Sequence, residues 1–339
     1  MFSFINYFQA ILPEFHLLNY AAIVFVAVVL GVLALLSIGG QFLKRQPESK
    51  FDPAIVRKFN QRVNFWFLII AVLVIALQFG KIATVTVFGL ISFWALREFI
   101  TMTPTRRGDH RTLFWVLIGF TPAQYILVAW NWFDMFTILI PVYASLFIPG
   151  RIAFTGERER FLERCAKIQF GLLICVYCLS HAAALLNLEL LTRQQGVWVP
   201  WDGPQAGLLI FLLVIVQVSD SLYFVWDRLF GKHVIAVPID PNRTWEGLIG
   251  STLSCGLVGI AISFFGITPF SWYGAALLAM LISVMGSSGS MTMSAIKRDH
   301  GVKDYGTLVQ GHAGILDRID SICFAAPMYF HVVRMFLNQ

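Results

Sequence analysis

Charge is what this sequence has least of. Asp, Glu, Lys and Arg together make up 13% of its 339 residues, against about a quarter in an ordinary soluble domain. So few charges exclude a disordered chain and argue against a soluble enzyme. Cysteine is too scarce for a disulfide scaffold: there are five, Cys165, Cys175, Cys178, Cys255 and Cys323. Cys175 and Cys178 form a C-x-x-C with His181 close behind, but the run around them is apolar. A zinc site there lacks a fourth ligand and a polar setting. The pair reads as small packing groups and His181 as a helix-packing histidine bonded to a neighbour. The first nineteen residues contain no Lys or Arg, so the basic n-region of a signal peptide is missing, and the run 21–38 is expected to stay as a membrane span. Pro- or Gly-rich linkers, internal repeats and room for a soluble domain are also lacking.

What the sequence has instead is apolar length. Apolar types make up 58% of the chain and the mean hydropathy is +0.72. A membrane span needs about 20 apolar residues. Ten segments qualify: 20–39, 64–80, 82–99, 113–130, 133–152, 169–189, 206–226, 248–267, 272–293 and 319–337. The expected fold is all-α, a polytopic membrane helical bundle of about ten transmembrane helices. Residues 1–200 are N-terminal membrane helices, and 201–339 are C-terminal helices carrying the chemistry. Residues 1–19, apolar and aromatic, are expected to lie as a helix in the interface.

The basic residues test this count. They gather in five connecting regions, 40–63, 97–112, 151–168, 227–247 and 294–318, and only Lys81, Arg193 and Arg334 of the 25 Lys and Arg fall elsewhere. Ten alternating spans put all five regions on one side. The positive-inside rule makes that side cytoplasmic and both termini external. The net charge of +6 is therefore a topology signal, and no basic stripe with interleaved aromatics points to nucleic acid. The sign-alternating stretch 156–164 reads as a salt-laced cytoplasmic helix, and Asp134 as a span flank.

The second half carries a denser mixture. Asp317, Asp320 and Ser321 share one face if the last span starts helically there, and two carboxylates with a hydroxyl suit a hard cation such as Mg²⁺. Lys297, Arg298, Lys303 and Arg318 can neutralise phosphate oxygens. Gly306, Gly311 and Gly314 allow a ligand close to the backbone. Asp220 is an ionisable group in an apolar span, which is costly and usually functional. Cations, carboxylates and glycine turns together suit phosphoryl or nucleotidyl transfer, where charge develops on phosphate oxygens.

These residues fall into a pattern. Ser294, Lys297, Arg298, Lys303, Asp304, His312, Gly314, Asp317, Arg318 and Asp320 resemble the signature of the CDP-diglyceride synthetases, or phosphatidate cytidylyltransferases: S-x-x-K-R, four residues, K-D, a spacer, then H-G-G-x-x-D-R-x-D. Pro241, Thr244, Glu246 and Gly247 resemble the family's upstream S-P-x-K-T-x-E-G. The resemblance covers about residues 218–321. It implies attack of phosphatidate on the α-phosphorus of CTP with loss of pyrophosphate, assisted by Mg²⁺, in an all-helical bundle with a polar cavity open to the cytoplasm of a bacterial inner membrane. It further implies membrane lipids as partners and a homodimer. Asp317 with Asp220 or Asp320 would hold the metal. Lys297, Arg298, Lys303 and Arg318 would bind phosphates, His312 would orient or protonate one, and Asp304 would position a lysine. Lys232, Arg243, Thr244 and Glu246 are the candidates for nucleotide binding.

The chain departs from that pattern in four places. Gly289-Ser290 stands where the family has Gly-Asp, whose Asp is a metal ligand. Ala313 replaces the first Gly of H-G-G, Arg243 replaces Lys, and Asp240 replaces Ser. The departures motivate an alternative, a catalytically impaired relative that binds lipid or nucleotide. A transporter, the third class, is expected to show inverted repeats.

Overall fold

The computed structural model describes residues 17–44, 53–102, 106–194, 197–301 and 314–337. Each of the ten expected segments is a helix. They are α1 (Tyr20–Lys44), α2 (Pro53–Gln78), α3 (Lys81–Met102), α4 (His110–Ala129), α5 (Phe133–Ala153), α6 (Phe161–Asn187), α7 (Gly207–Phe230), α8 (Trp245–Ser263), α9 (Trp272–Asp299) and α10 (Leu316–Leu337). Among the described residues eight of them are long and apolar enough to cross a membrane, and Trp66–Gln78 of α2 is a shorter apolar stretch. The fold is an all-α polytopic membrane bundle. The expected interfacial helix lies outside the described residues, except for residues 17–19, which are not helical.

Helix ends differ from the apolar runs because backbone hydrogen bonding continues past the apolar stretch. α2 starts eleven residues before its expected span, through Arg57, Lys58 and Arg62. α8 starts at Trp245 because Thr244 caps it, its hydroxyl accepting the Gly247 N–H at 3.1 Å. Two short antiparallel ribbons, which the hydropathy pattern did not suggest, interrupt the helices: β1 (Leu191–Gln194) with β2 (Val197–Pro200), and β3 (Val234–Ala236) with β4 (Asp240–Thr244).

α4, α5 and α6 each contain a wider, π-helical turn: Trp115–Phe120, Leu139–Ala144 and Leu173–Cys178. Hydroxyls hold the first two turns. Thr121 donates to the Val116 carbonyl at 2.9 Å, and Ser145 to that of Ile140 at 3.2 Å. Pro141 has no N–H to give, and the Phe136 carbonyl one turn back takes the Gln124 amide at 2.9 Å instead. Cys175 is buried and Cys178 half-buried in the third turn, both as free thiols. His181 is buried, its Nδ1 2.8 Å from the Tyr177 carbonyl, its ring against Phe136 and Phe330.

The first half of α7 is buried from Gly207 to Leu213, and Phe211 stacks on Tyr329 of α10. α7, α8, α9 and α10 pack on one another more extensively than any other group of helices. At Gly289 the backbones of α9 and α10 come so close that a Cβ would sit 2.7 Å from the Asp320 carbonyl oxygen.

The charges of 156–164 are salt-linked as expected, but residues 156–160 are turn, not helix. Gly156 and Arg160 take positive φ, which ends any helix there. Arg164, at the start of α6, forks onto buried Asp109 before α4 and donates to the Glu157 and Glu159 carbonyls. Removing one partner of such a buried pair strands the other charge. Asp109→Ala should lower stability by about 3 to 5 kcal/mol, read as the thermal unfolding midpoint of detergent-solubilised protein.

Candidate active site

At one end of the bundle a polar cavity of about 150 Å³ opens between α2, α7, α9 and α10. α7 supplies Gln217, Asp220 and Ser221. α10 supplies Asp317, Arg318 and Asp320. β4 contributes Arg243, α9 Ser290 and α2 Trp66. Asp317, Asp320 and Ser321 do share a face of α10, and Asp220 meets them from α7: the Ser321 hydroxyl lies 3.1 Å from both Asp220 carboxylate oxygens. Buried Asp320 accepts the Ser321 N–H at 2.7 Å. Lys297 reaches down from α9 to Asp317 at 2.9 Å.

Arg243 crosses the cavity. Its guanidinium lies over the Tyr223 ring at 4.4 Å and donates to Ser290 Oγ at 2.6 Å. Its Nε is 3.7 Å from Asp240. Nη1 is buried with no hydrogen-bond partner among the described residues, so one donor is left for a ligand. Three of the four departures from the family pattern, at 240, 243 and 290, are thus one chain of contacts.

The other expected residues stand apart. Arg298 is exposed and donates to the Ile239 carbonyl at 3.2 Å. Lys232, Thr244 and Glu246 do not line the cavity. Lys232 is exposed. Glu246 accepts the backbone N–H groups of Lys232 and His233 at 3.2 and 3.1 Å and pairs with the His233 ring. Thr244 caps α8 and donates its hydroxyl to Asp227, which also accepts the Thr244 N–H at 3.1 Å. At Gly247 a Cβ would collide with that Asp227 carboxylate. Thr244, Glu246 and Gly247 thus fold the loop that delivers Arg243. Lys303, Asp304, His312 and Ala313 lie outside the described residues.

One positioning residue escaped the sequence reading. Glu98 of α3 is buried, and its two carboxylate oxygens accept the N–H groups of Ile315 and Leu316 at 3.1 and 3.0 Å. It caps α10 directly before Asp317. Beside Arg97 at the end of an apolar run, it looks like an ordinary loop charge. Trp66 and Gln217 were missed for the same reason: neither belongs to a charged cluster.

The donors suit a hard divalent cation. Three carboxylates and two guanidiniums line the cavity, and Lys297 balances Asp317, so a polyphosphate brings more negative charge than the site neutralises unless a cation accompanies it. Among the described residues no three His, Cys, Asp or Glu form a ready-made metal cage. Mg²⁺ takes one or two carboxylates and completes its shell with water and substrate phosphate.

A bundle of apolar helices with carboxylates, guanidiniums and hydroxyls gathered at one end is an integral membrane protein with a polar site. The cytidylyltransferase family model matches residues 60–336, and the chain belongs to that family, as a cytidylyltransferase of the CDP-diacylglycerol synthase type. It is 33% identical over 309 residues to the uncharacterized protein YnbB of Escherichia coli (strain K12), covering 91% of this chain and 97% of that protein. It is 35% identical over 166 residues to the phosphatidate cytidylyltransferase of Staphylococcus haemolyticus, covering 48% of this chain and 60% of that protein. It is 24% identical over 245 residues to that of Staphylococcus saprophyticus, covering 70% and 85%.

Glu98→Ala leaves the Ile315 and Leu316 amides without their acceptor, at about 1 to 3 kcal/mol each. We expect a lower unfolding midpoint and faster hydrogen exchange at Ile315 and Leu316. Glu98→Gln, which retains one acceptor oxygen, should lose less.

Proposed function

We propose that this protein transfers the cytidylyl group of CTP to a lipid phosphate, most simply phosphatidate, giving CDP-diacylglycerol and pyrophosphate. One observation carries the reading: Asp220, Asp317, Asp320, Arg243 and Arg318 converge from separate elements on one cavity. The names of the Staphylococcus relatives supply the substrate class. The positive-inside pattern puts the cavity on the cytoplasmic side, where CTP is found.

The chemistry follows from the charges. A phosphate oxygen of the lipid, already ionised, forms a bond to the α-phosphorus of CTP. The bond from that phosphorus to the bridging oxygen breaks, and pyrophosphate leaves with the electron pair. No strong general base is required. Arg243, through its spare Nη1, and Arg318 hold phosphate oxygens and offset the charge that spreads over them. Lys297 holds Asp317 in place, and the Ser321 hydroxyl does the same for Asp220. Asp317, with Asp220 or Asp320, would hold Mg²⁺, which supplies Lewis-acid neutralisation of the phosphates when bound. Lys303, Asp304 and His312 keep the roles that their motif suggests.

The test is transfer of label from radiolabelled CTP into lipid, in mixed micelles with phosphatidate and Mg²⁺. Asp317→Asn should cut that transfer about a hundredfold or more in a protein that still folds, with a lower unfolding midpoint because Lys297 loses its partner, and full activity would remove the metal-ligand role. Ser290→Asp should lower turnover, because the new carboxylate captures the donors of Arg243 that phosphate needs. A large gain instead would mean that the native site is impaired for want of that carboxylate.

A further inference from the structure

Two apolar clefts leave the polar cavity, one on each side of α2. The first lies between α1, α2 and α7, and Trp66 and Gln217 line both it and the cavity. Among the described residues Gln217 is the one in its wall that is neither aliphatic nor aromatic. The second lies between α2, α3, α6, α7 and α10, and Arg318 lines both it and the cavity. Its wall is otherwise apolar except for Thr84, whose hydroxyl is already spent on the Gly80 carbonyl at 3.1 Å. Ile69, Leu73 and Leu213 line both clefts, so α2 stands as a wedge between them.

Depth and polarity say what fits. The first cleft follows α2 from Trp66 to Leu77, a rise of about 16 Å at 1.5 Å per residue. One leaflet of a bilayer has about 15 Å of hydrocarbon, half of the core. Walls without polar partners do not hold ordered water. The mouth is the opposite: guanidiniums that suit a phosphate, with the amphipathic Trp66 and Gln217 at the boundary.

We infer that the two acyl chains of one diacyl lipid phosphate straddle α2, one in each cleft, while the phosphate sits in the cavity between Arg243 and Arg318. The inference rests on the proposed transferase reading and deepens it. It makes α2 the element that reads the two chains. A single-chain phosphate fills one cleft and leaves the other to bulk lipid.

Val74→Trp narrows the first cleft about 12 Å below Trp66 and Val87→Trp narrows the second, and neither residue lines the polar cavity. Ile118→Trp, on an exposed face of α4, is the control. With dioleoyl phosphatidate, each cleft variant should raise KM about tenfold, the worth of roughly two displaced methylenes. With dihexanoyl phosphatidate, whose chains end short of the block, KM should stay unchanged. Equal losses on both substrates, or no loss on either, overturn the inference while leaving the transferase reading intact. No transfer to any lipid phosphate overturns the transferase reading. A phosphatidate carrying a diazirine in one chain then tests the clefts without turnover. Adducts on both walls, at Val74 or Val214 and at Val72 or Val87, support the inference. Adducts confined to outward residues such as Leu35 and Ile82, as with the same probe on phosphatidylcholine, overturn it.

Discussion

The site depends on one carboxylate in an apolar wall. Glu98 takes the amides of Ile315 and Leu316, just before and at the start of α10, and without it a helix that starts inside the bundle has unpaired donors at its buried end. The interaction also sets rotation. Leu316 and Ile319 turn into the core, and Asp317, Arg318 and Asp320 are left to face the cavity. Every charged contact that α10 makes there inherits its position from that cap. The close approach of α9 at Gly289 then brings Ser290 to the same cavity.

A polar cavity at the end of a membrane bundle has to satisfy its charges locally. Here each acidic group has a partner on another element or beside it. Asp317 has Lys297 of α9, Asp220 has the Ser321 hydroxyl of α10, and Asp320 has the Ser321 amide. The loop between α7 and α8 follows the same logic, with Asp227 and Glu246 consuming its backbone donors. Among the described residues the Nη1 of Arg243 is buried without a hydrogen-bond partner. A cavity whose acids are held and whose guanidinium keeps a spare donor is arranged for an incoming anion.

Much of this was legible in the sequence. Ten helices follow from ten apolar runs, because a bilayer leaves few other ways to satisfy the backbone. Asp220, Asp317 and Asp320 stood out because carboxylates near spans are costly. Thr244 and Glu246 show where legibility ended. Their oxygens accept backbone amides, and an oxygen that caps a helix looks the same in sequence as one that binds a ligand. Glu98 was hidden because its partners lie more than two hundred residues away. α2 lines the cavity and both clefts, and α10 lines the cavity and the second cleft. The carboxylates and guanidinium of α10, a defect by hydropathy, are what bring it to the site.

The departures at 240, 243 and 290 read differently once their contacts are known. Taken singly, each weakens a family position: a carboxylate is lost at 290, a lysine becomes arginine, a serine becomes aspartate. In the fold they are consecutive links, Asp240 to Arg243 at 3.7 Å and Arg243 to Ser290 at 2.6 Å. The trio carries one positive and one negative charge in either version, so the carboxylate has moved from one end of the chain to the other. A lysine ammonium is a point charge, whereas a guanidinium presents donors along several directions at once. Arg243 can therefore reach Asp240, Ser290 and a ligand together, and the exchange of Lys for Arg is what allows the carboxylate to sit at 240. The three changes are one rearrangement with local charge conserved, which is why the missing acid at 290 is weak ground for calling the site impaired.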